Sequence, residues 1–289
     1  MPDFGALPLT FWIVAAGLFG LAVGSFLNVV IYRLPVMMER QWQADAHATL
    51  HPDAQTQPAE RFDLIAPRSR CPSCGHQILW WENIPVLSYL FLRGRCSSCH
   101  ATISPRYPLV ELITALLTAA VVVRWGASGD SLAYIVLLWA LITLALIDFD
   151  TTLLPDSITL PLLWLGLLWH AWLRPEQLSS AVWGAAVGYL ALWTVYQGFK
   201  LLTGKEGMGF GDFKLLAALG AWFGVAALLP IILLSSICGA VIGIALQLLK
   251  LTERGRPIPF GPFLAAAGIL LLLIGPNTLV ALLLPASGA

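Results

Sequence analysis

Two aspartates stand where apolar runs meet polar ones. Asp212 lies in Gly207-Met-Gly-Phe-Gly-Asp-Phe-Lys214, a glycine-rich turn leading into the apolar run 215–229, and Asp148 closes the run 131–147 sixty-four positions earlier. An ionisable group at the mouth of a membrane helix is costly, which makes each a functional candidate. Two facing carboxylates can share one proton and between them activate a water. The plainer reading is that Asp212, and still more Asp156 ahead of Ser157 and an apolar run, are helix N-caps. Asp148 and Asp150 are two apart and cannot share a helix face, so at most one of them points at Asp212.

A second chemistry is carried by cysteine. Cys71-Pro-Ser-Cys74 and Cys96-Ser-Ser-Cys99 are separated by 21 residues. Each Cys-x-x-Cys knuckle presents two thiolates to one metal, and two knuckles complete a closed, structural zinc site with four sulfurs. The spacer is just longer than the usual range of about 15–20 residues. His76 and His100 follow the knuckles and are expected to line them, each also able to replace a cysteine. A redox pair without metal is the alternative. Cys238, inside an apolar run, reads as an inert buried thiol.

The elements that must position these residues are membrane helices. Of 289 residues, 58% are hydrophobic and 11% charged, with a mean hydropathy of +0.80, the composition of an integral membrane protein. The formal net charge of +0 implies no nucleic-acid field and no nucleic-acid partner, and the 12 tryptophans suit helix ends near lipid headgroups. Runs of the required length, about 20 apolar residues, fall at about 10–32, 108–123, 131–147, 157–173, 179–199, 215–229, 230–249 and 262–284, with Leu229-Pro230 as the turn between the sixth and seventh. The first is not expected to be a cleaved signal peptide, because Asp3 precedes it and no small-x-small exit follows. Of the 16 Lys and Arg, all but Arg124 and Arg174 fall on one side of the expected membrane. That side is therefore cytoplasmic, both termini lie outside, and Asp148, Asp150, Asp156 and Asp212 lie on the cytoplasmic edge. Thiols there are kept reduced, which favours a metal over disulfides.

The rest of the chain offers less. Gly24, Ser25 and Asn28 form a small or polar stripe that suits helix packing, with a substrate-facing Asn28 as the minority reading. Residues 36–66 read as a solvated loop or short helix without assigned function. The segment Trp80–Leu92, containing Glu82 and Asn83, is too short to span and either fills the core of a small zinc domain or lies on the membrane surface. Glu111 begins a span with no evident partner besides Arg106, and reads first as a helix-start carboxylate. His170 and Arg174 are expected at the outer interface, and Pro257-Ile-Pro-Phe-Gly-Pro-Phe263 is a broken entry to the last helix that reads equally as a substrate-edge feature or a simple loop. No internal repeat, phosphate-binding loop or nucleophile elbow is present.

These residues together resemble the bifunctional type IV prepilin peptidases of bacteria. The resemblance covers nearly the whole chain and rests on Gly24-Ser-Phe-Leu-Asn-Val-Val-Ile-Tyr-Arg-Leu-Pro35, both knuckles, Ile103-Ser-Pro-Arg-Tyr-Pro108, Ile147-Asp-Phe-Asp-Thr-Thr-Leu-Leu-Pro-Asp156 and Gly209-Phe-Gly-Asp212. It implies an all-α polytopic membrane protein of about eight transmembrane helices with a small cytoplasmic zinc domain. The implied divisions are a first helix over 1–34, a tetracysteine domain associated with methylation over 35–107, and an aspartyl peptidase domain over 108–289. It further implies Asp148 and Asp212 as catalytic acids, Cys71, Cys74, Cys96 and Cys99 as zinc ligands, and Gly207, Gly209 and Gly211 as backbone that admits an extended substrate. Members cut a short basic leader from prepilins and pseudopilins before a phenylalanine, then methylate the new amino terminus with S-adenosylmethionine. No residue is assigned to the methyl donor, and no oligomeric state is implied. A peptidase without methyl transfer, and a transporter with acids at broken helices, are the alternative readings.

Overall fold

The computed structural model describes residues 7–52, 61–249 and 258–275. Among them the chain forms nine α-helices and no strand beyond two isolated β-bridges. The helices are α1 (Leu9–Leu50), α2 (Leu87–Phe91), α3 (Arg106–Trp125), α4 (Gly129–Thr151), α5 (Asp156–Leu173), α6 (Leu178–Thr203), α7 (Phe210–Phe223), α8 (Leu228–Leu248) and α9 (Gly261–Ile274). Each of the eight expected spans coincides with a helix, and α2 is the one addition. Among the described residues five segments are long and apolar enough to cross a membrane, namely α1, α3, α4, the stretch Pro175–Thr203 containing α6 and the stretch Val225–Leu248 containing α8. The expected end of the last span, 276–284, lies outside the described residues, as do Asp3, Lys250, Arg254, Arg256 and Pro257.

Two expected boundaries move. Helix α1 does not stop near residue 32 but continues through Pro35 to Leu50. A proline removes one donor, and the strong helix formers Met, Glu, Arg, Gln and Ala that follow carry the helix on. The turn expected at Leu229-Pro230 sits instead at Gly224, whose φ of 80° places it in the left-handed region that favours glycine. Pro230 falls in the first turn of α8, where its missing N–H costs no intrahelical bond.

The chain forms two compact units that divide at Ser131 and Leu132, in the first turn of α4. In the first unit α1 packs closely on α3. A Cβ on Gly24 would stand 2.7 Å from Glu111 Cα and one on Gly20 2.8 Å from Ala115 Cα, so the small stripe of α1 lets two backbones meet. Asn28 belongs to the same contact, its Nδ2 donating to the Tyr107 carbonyl at 3.1 Å.

In the second unit the short helix α7 is enclosed by α5, α6 and α9. Leu215, Leu216, Ala218, Leu219 and Ala221 are fully buried, as a helix apolar on every side must be. Fourteen residues rise only about 21 Å, less than the hydrocarbon core. The glycines of α6 make the close approach possible, since a Cβ on Gly188 would lie 2.8 Å from the Leu216 carbonyl oxygen. On the α5 side the Trp222 Nε1–H donates to the Leu162 carbonyl at 2.8 Å.

Candidate active site and metal centre

The acid pair is assembled within the second unit. Asp148 is the fourth residue from the end of α4 and Asp212 the third residue of α7. Both are buried, at 5% and 7% exposure, and they lie within coulombic range of one another. Asp150 is exposed, so burial distinguishes it from Asp148. Asp212 is not the N-cap of α7; that position belongs to Gly209, and the Asp212 Oδ1 is buried without a hydrogen-bond partner. Asp156 is not a cap either. It is the first residue of α5, and both its oxygens accept from Lys214 Nζ at 2.7 Å, an ion pair that ties α5 to α7 two residues beyond Asp212.

The glycines of the Gly207–Gly211 turn divide by role. A Cβ on Gly211 would stand 2.7 Å from Leu154 Cβ and one on Gly207 2.8 Å from the Phe199 ring, so both positions are taken up by packing. Around Gly209 a Cβ would meet nothing nearer than 3.9 Å. Only that glycine keeps open space of the kind expected for all three. A further contact was not anticipated from sequence: the Gly261 N–H, at the start of α9, donates to Asp148 Oδ2 at 2.9 Å. The signal available was the glycine between two prolines, Pro259-Phe-Gly-Pro262, at a helix entry.

The cysteines come together within the first unit. Their four Sγ atoms all lie within 4.8 Å of one another, a set that can hold a metal ion. Cys71 and Cys99 are 3.8 Å apart and Cys74 and Cys96 4.0 Å. A tetrahedron with arms of about 2.3 Å has edges of about 3.8 Å, whereas a disulfide needs about 2.05 Å. The two knuckles fold alike. Cys71 N–H donates to His76 O and Gly75 N–H to Cys71 O, while Cys96 N–H donates to Ala101 O and His100 N–H to Cys96 O. Gly75 at φ 73° and His100 at φ 57° hold the same left-handed turn position. The Cys74 and Ser73 N–H groups help hold the Cys71 thiol down to about 6. The Ala101 N–H lowers Cys99 too, but neighbouring sulfurs and burial push it up to about 11, the repulsion that a cation at the centre relieves.

His76 is not among the clustered ligands. Its Nε2 lies 3.1 Å from the Glu82 carboxylate and 3.3 Å from Ser97 Oγ, which joins the two knuckles through the residue whose role the sequence left open. Burial pushes the Glu82 carboxyl up, but the Leu79 N–H, Ser97 and His76 together hold it below its usual range. Glu111 finds a partner that sequence did not supply: it accepts from the Val86 N–H at 2.7 Å. Val86 is a β-branched residue at φ 59°, a strained conformation whose backbone N–H this hydrogen bond satisfies. Arg33, also buried, donates to the Asp63 and Pro67 carbonyls at 2.8 and 2.6 Å, and so fastens part of the supposed solvated loop to α1. His170 is buried rather than interfacial, its Nδ1 2.8 Å from the Gly166 carbonyl oxygen. Of the two roles expected for the Trp80–Leu92 segment, zinc-domain core or membrane surface, the core role does not suit Trp80, Leu87, Leu90 and Phe91, which are exposed.

An α-helical, multi-pass membrane protein with a buried pair of acids at helix ends and a four-cysteine cluster is thereby defined. Residues 18–125 match the bacterial peptidase A24 N-terminal domain and residues 135–244 the type IV leader peptidase family. The chain belongs to the type IV leader peptidase family. It is 55% identical over 268 residues to the prepilin leader peptidase/N-methyltransferase of Stutzerimonas stutzeri, covering 93% of this chain and 92% of that one. The protein of the same name from Aeromonas hydrophila is 55% identical over 260 residues, 90% of each chain, and that of Pseudomonas aeruginosa 53% over 268 residues, 93% and 92%. No solved structure matches the chain.

Proposed function

We propose that the chain cleaves the short basic leader from type IV prepilins and type II secretion pseudopilins, and then methylates the new amino terminus. The observation that carries the peptidase reading is the burial of Asp148 and Asp212 within coulombic range at the ends of two helices, in a chain whose relatives are named for this activity. One aspartate, ionised, takes a proton from water as the water oxygen attacks the scissile carbonyl; the other, protonated, gives its proton to the carbonyl oxygen. The roles then reverse as the amine leaves. Gly209 offers backbone open to an extended substrate beside the pair.

The distribution of Lys and Arg supports a multi-pass arrangement in the bacterial inner membrane with both termini outside and the acids on the cytoplasmic edge. A substrate with a basic leader and an apolar helix then presents its junction at that edge. In this reading residues 35–107 serve methylation and residues 108–289 cleavage. Cys71, Cys74, Cys96 and Cys99 hold a structural zinc ion, which their spacing fits. The exposed Trp80, Leu87, Leu90 and Phe91 lie on the bilayer surface, because the Val86–Glu111 hydrogen bond ties this segment to the second turn of α3. S-adenosylmethionine supplies the methyl group; no residue of the chain is assigned to it.

The test is mass analysis of a purified prepilin treated with the full-length protein in detergent and S-adenosylmethionine. The expected product has lost its leader and carries one methyl group at its amino terminus. Cleavage without the methyl group reduces the function to a peptidase, and an uncut substrate overturns the reading.

A further inference from the structure

The cysteine-bearing unit holds a buried carboxylate that neither chemistry above employs. The Glu82 side chain is only 5% exposed, and burying a charge is costly unless donors surround it. Its donors come from different segments. The Leu79 N–H, at the start of the Trp80–Leu92 stretch, lies 2.8 Å from Oε2. His76 Nε2, two residues past Cys74, lies 3.1 Å from the same oxygen, and since an ionised carboxylate only accepts, that nitrogen carries the hydrogen. Ser97, next to Cys96 on the other knuckle, also bonds the carboxylate, and its Oγ is 3.3 Å from His76 Nε2. Cys74 and Cys96 themselves face each other at 4.0 Å. The buried charge therefore joins the knuckles beside two of the thiols that meet between them.

We infer that Glu82 is a positioning residue of the metal centre: through His76 and Ser97 it clamps one Cys-x-x-Cys knuckle to the other and so sets how tightly zinc is retained. The inference rests on the four-sulfur zinc reading above and adds a residue that the spacing of the cysteines does not reveal. Four converging thiolates repel one another, and any give between the knuckles lets a pair swing off the cation. A partner that fixes the residues beside the ligands resists that opening. Without the carboxylate, the Leu79 N–H, His76 and Ser97 lose their common acceptor.

The experiment follows zinc release from the full-length, zinc-loaded protein in detergent, with excess pyridylazoresorcinol as the coloured chelator. Glu82→Ala should release its zinc roughly 10- to 100-fold faster than the parent, while prepilin cleavage, whose acids lie in the other compact unit, stays at the parent rate. Glu82→Gln, which keeps an oxygen acceptor but not the charge, should fall between the two and carries the same test if Glu82→Ala does not fold. The comparison that separates clamping from general support is Glu111→Ala, which frees the same stretch at Val86 without touching a knuckle; it should release zinc at the parent rate. Parent-rate release from every folded Glu82 variant overturns the inference. Equal acceleration by Glu111→Ala overturns it too, since Glu82 would then act only by supporting the stretch. A parent protein that binds no zinc overturns the four-sulfur reading itself, and this inference with it.

Discussion

At the scale of single residues, the hydrogen bonds around two carboxylates lead to distinct predictions. Glu111 satisfies the N–H of Val86 in a strained conformation. Glu111→Ala leaves that donor unpaired and should cost about 1–3 kcal/mol, seen as faster proteolysis between the knuckles; unchanged proteolysis would deny the tether. Asp63 accepts from the Ile65 and Ala66 N–H groups and from Arg61 Nε. The Ala66 N–H, Arg61 and the Ile65 N–H hold its carboxyl down to about 2, against about 3.9 in an unfolded chain. A depressed pKa gives stability that is fully present above the unfolded value and is lost as pH falls through the folded one. A spin label at Ile65→Cys should therefore report an ordered loop from pH 8 down to about 4 and mobilisation between about 4 and about 2. Mobilisation already at pH 5 would contradict this. Asp148, Asp212 and the cysteines were marked by type and placement together, the aspartates standing where apolar runs end and the cysteines in two like-spaced pairs. The Gly261 and Val86 contacts were not legible, since a backbone N–H carries no side-chain signature and its partner is fixed only by tertiary packing.

At the scale of elements, apolar run length identified the spans, whereas their ends depended on what the runs pack against. Helix α7 shows why. Its run was expected over 215–229, yet the helix occupies Phe210–Phe223 and ends at Gly224. The sequence there is uniformly apolar, and the left-handed glycine rather than the proline makes the turn. The glycines of α6 read as ordinary small residues until α7 is laid against them. Gly188→Val should force α6 and α7 apart, since even a Cβ meets the Leu216 carbonyl at 2.8 Å. A loss of about 1–3 kcal/mol in thermal stability is expected, together with slower cleavage, because α7 carries Asp212. A variant as stable and active as the parent would show that the close approach is dispensable.

At the scale of the whole molecule, the acids and the cysteines fall in different compact units, so each chemistry can be tested by itself. The knuckles predict one equivalent of zinc per chain by elemental analysis, and less than one in Cys96→Ser; a metal-free parent with free thiols would contradict the four-sulfur site. The repeated Cys-x-x-Cys made this centre legible from spacing. The acid pair was legible only as a pair, by joining charge, run ends and membrane side. The central claim is that Asp148 and Asp212 cut the substrate together, and the most direct measurement is prepilin cleavage by purified Asp148→Asn, Asp212→Asn and Asp150→Asn proteins of parent fold and zinc content. The account predicts that the first two lose activity by roughly 100- to 10,000-fold while Asp150→Asn, altered at an exposed position, still cuts. Cleavage at the parent rate by either Asp148→Asn or Asp212→Asn would contradict it.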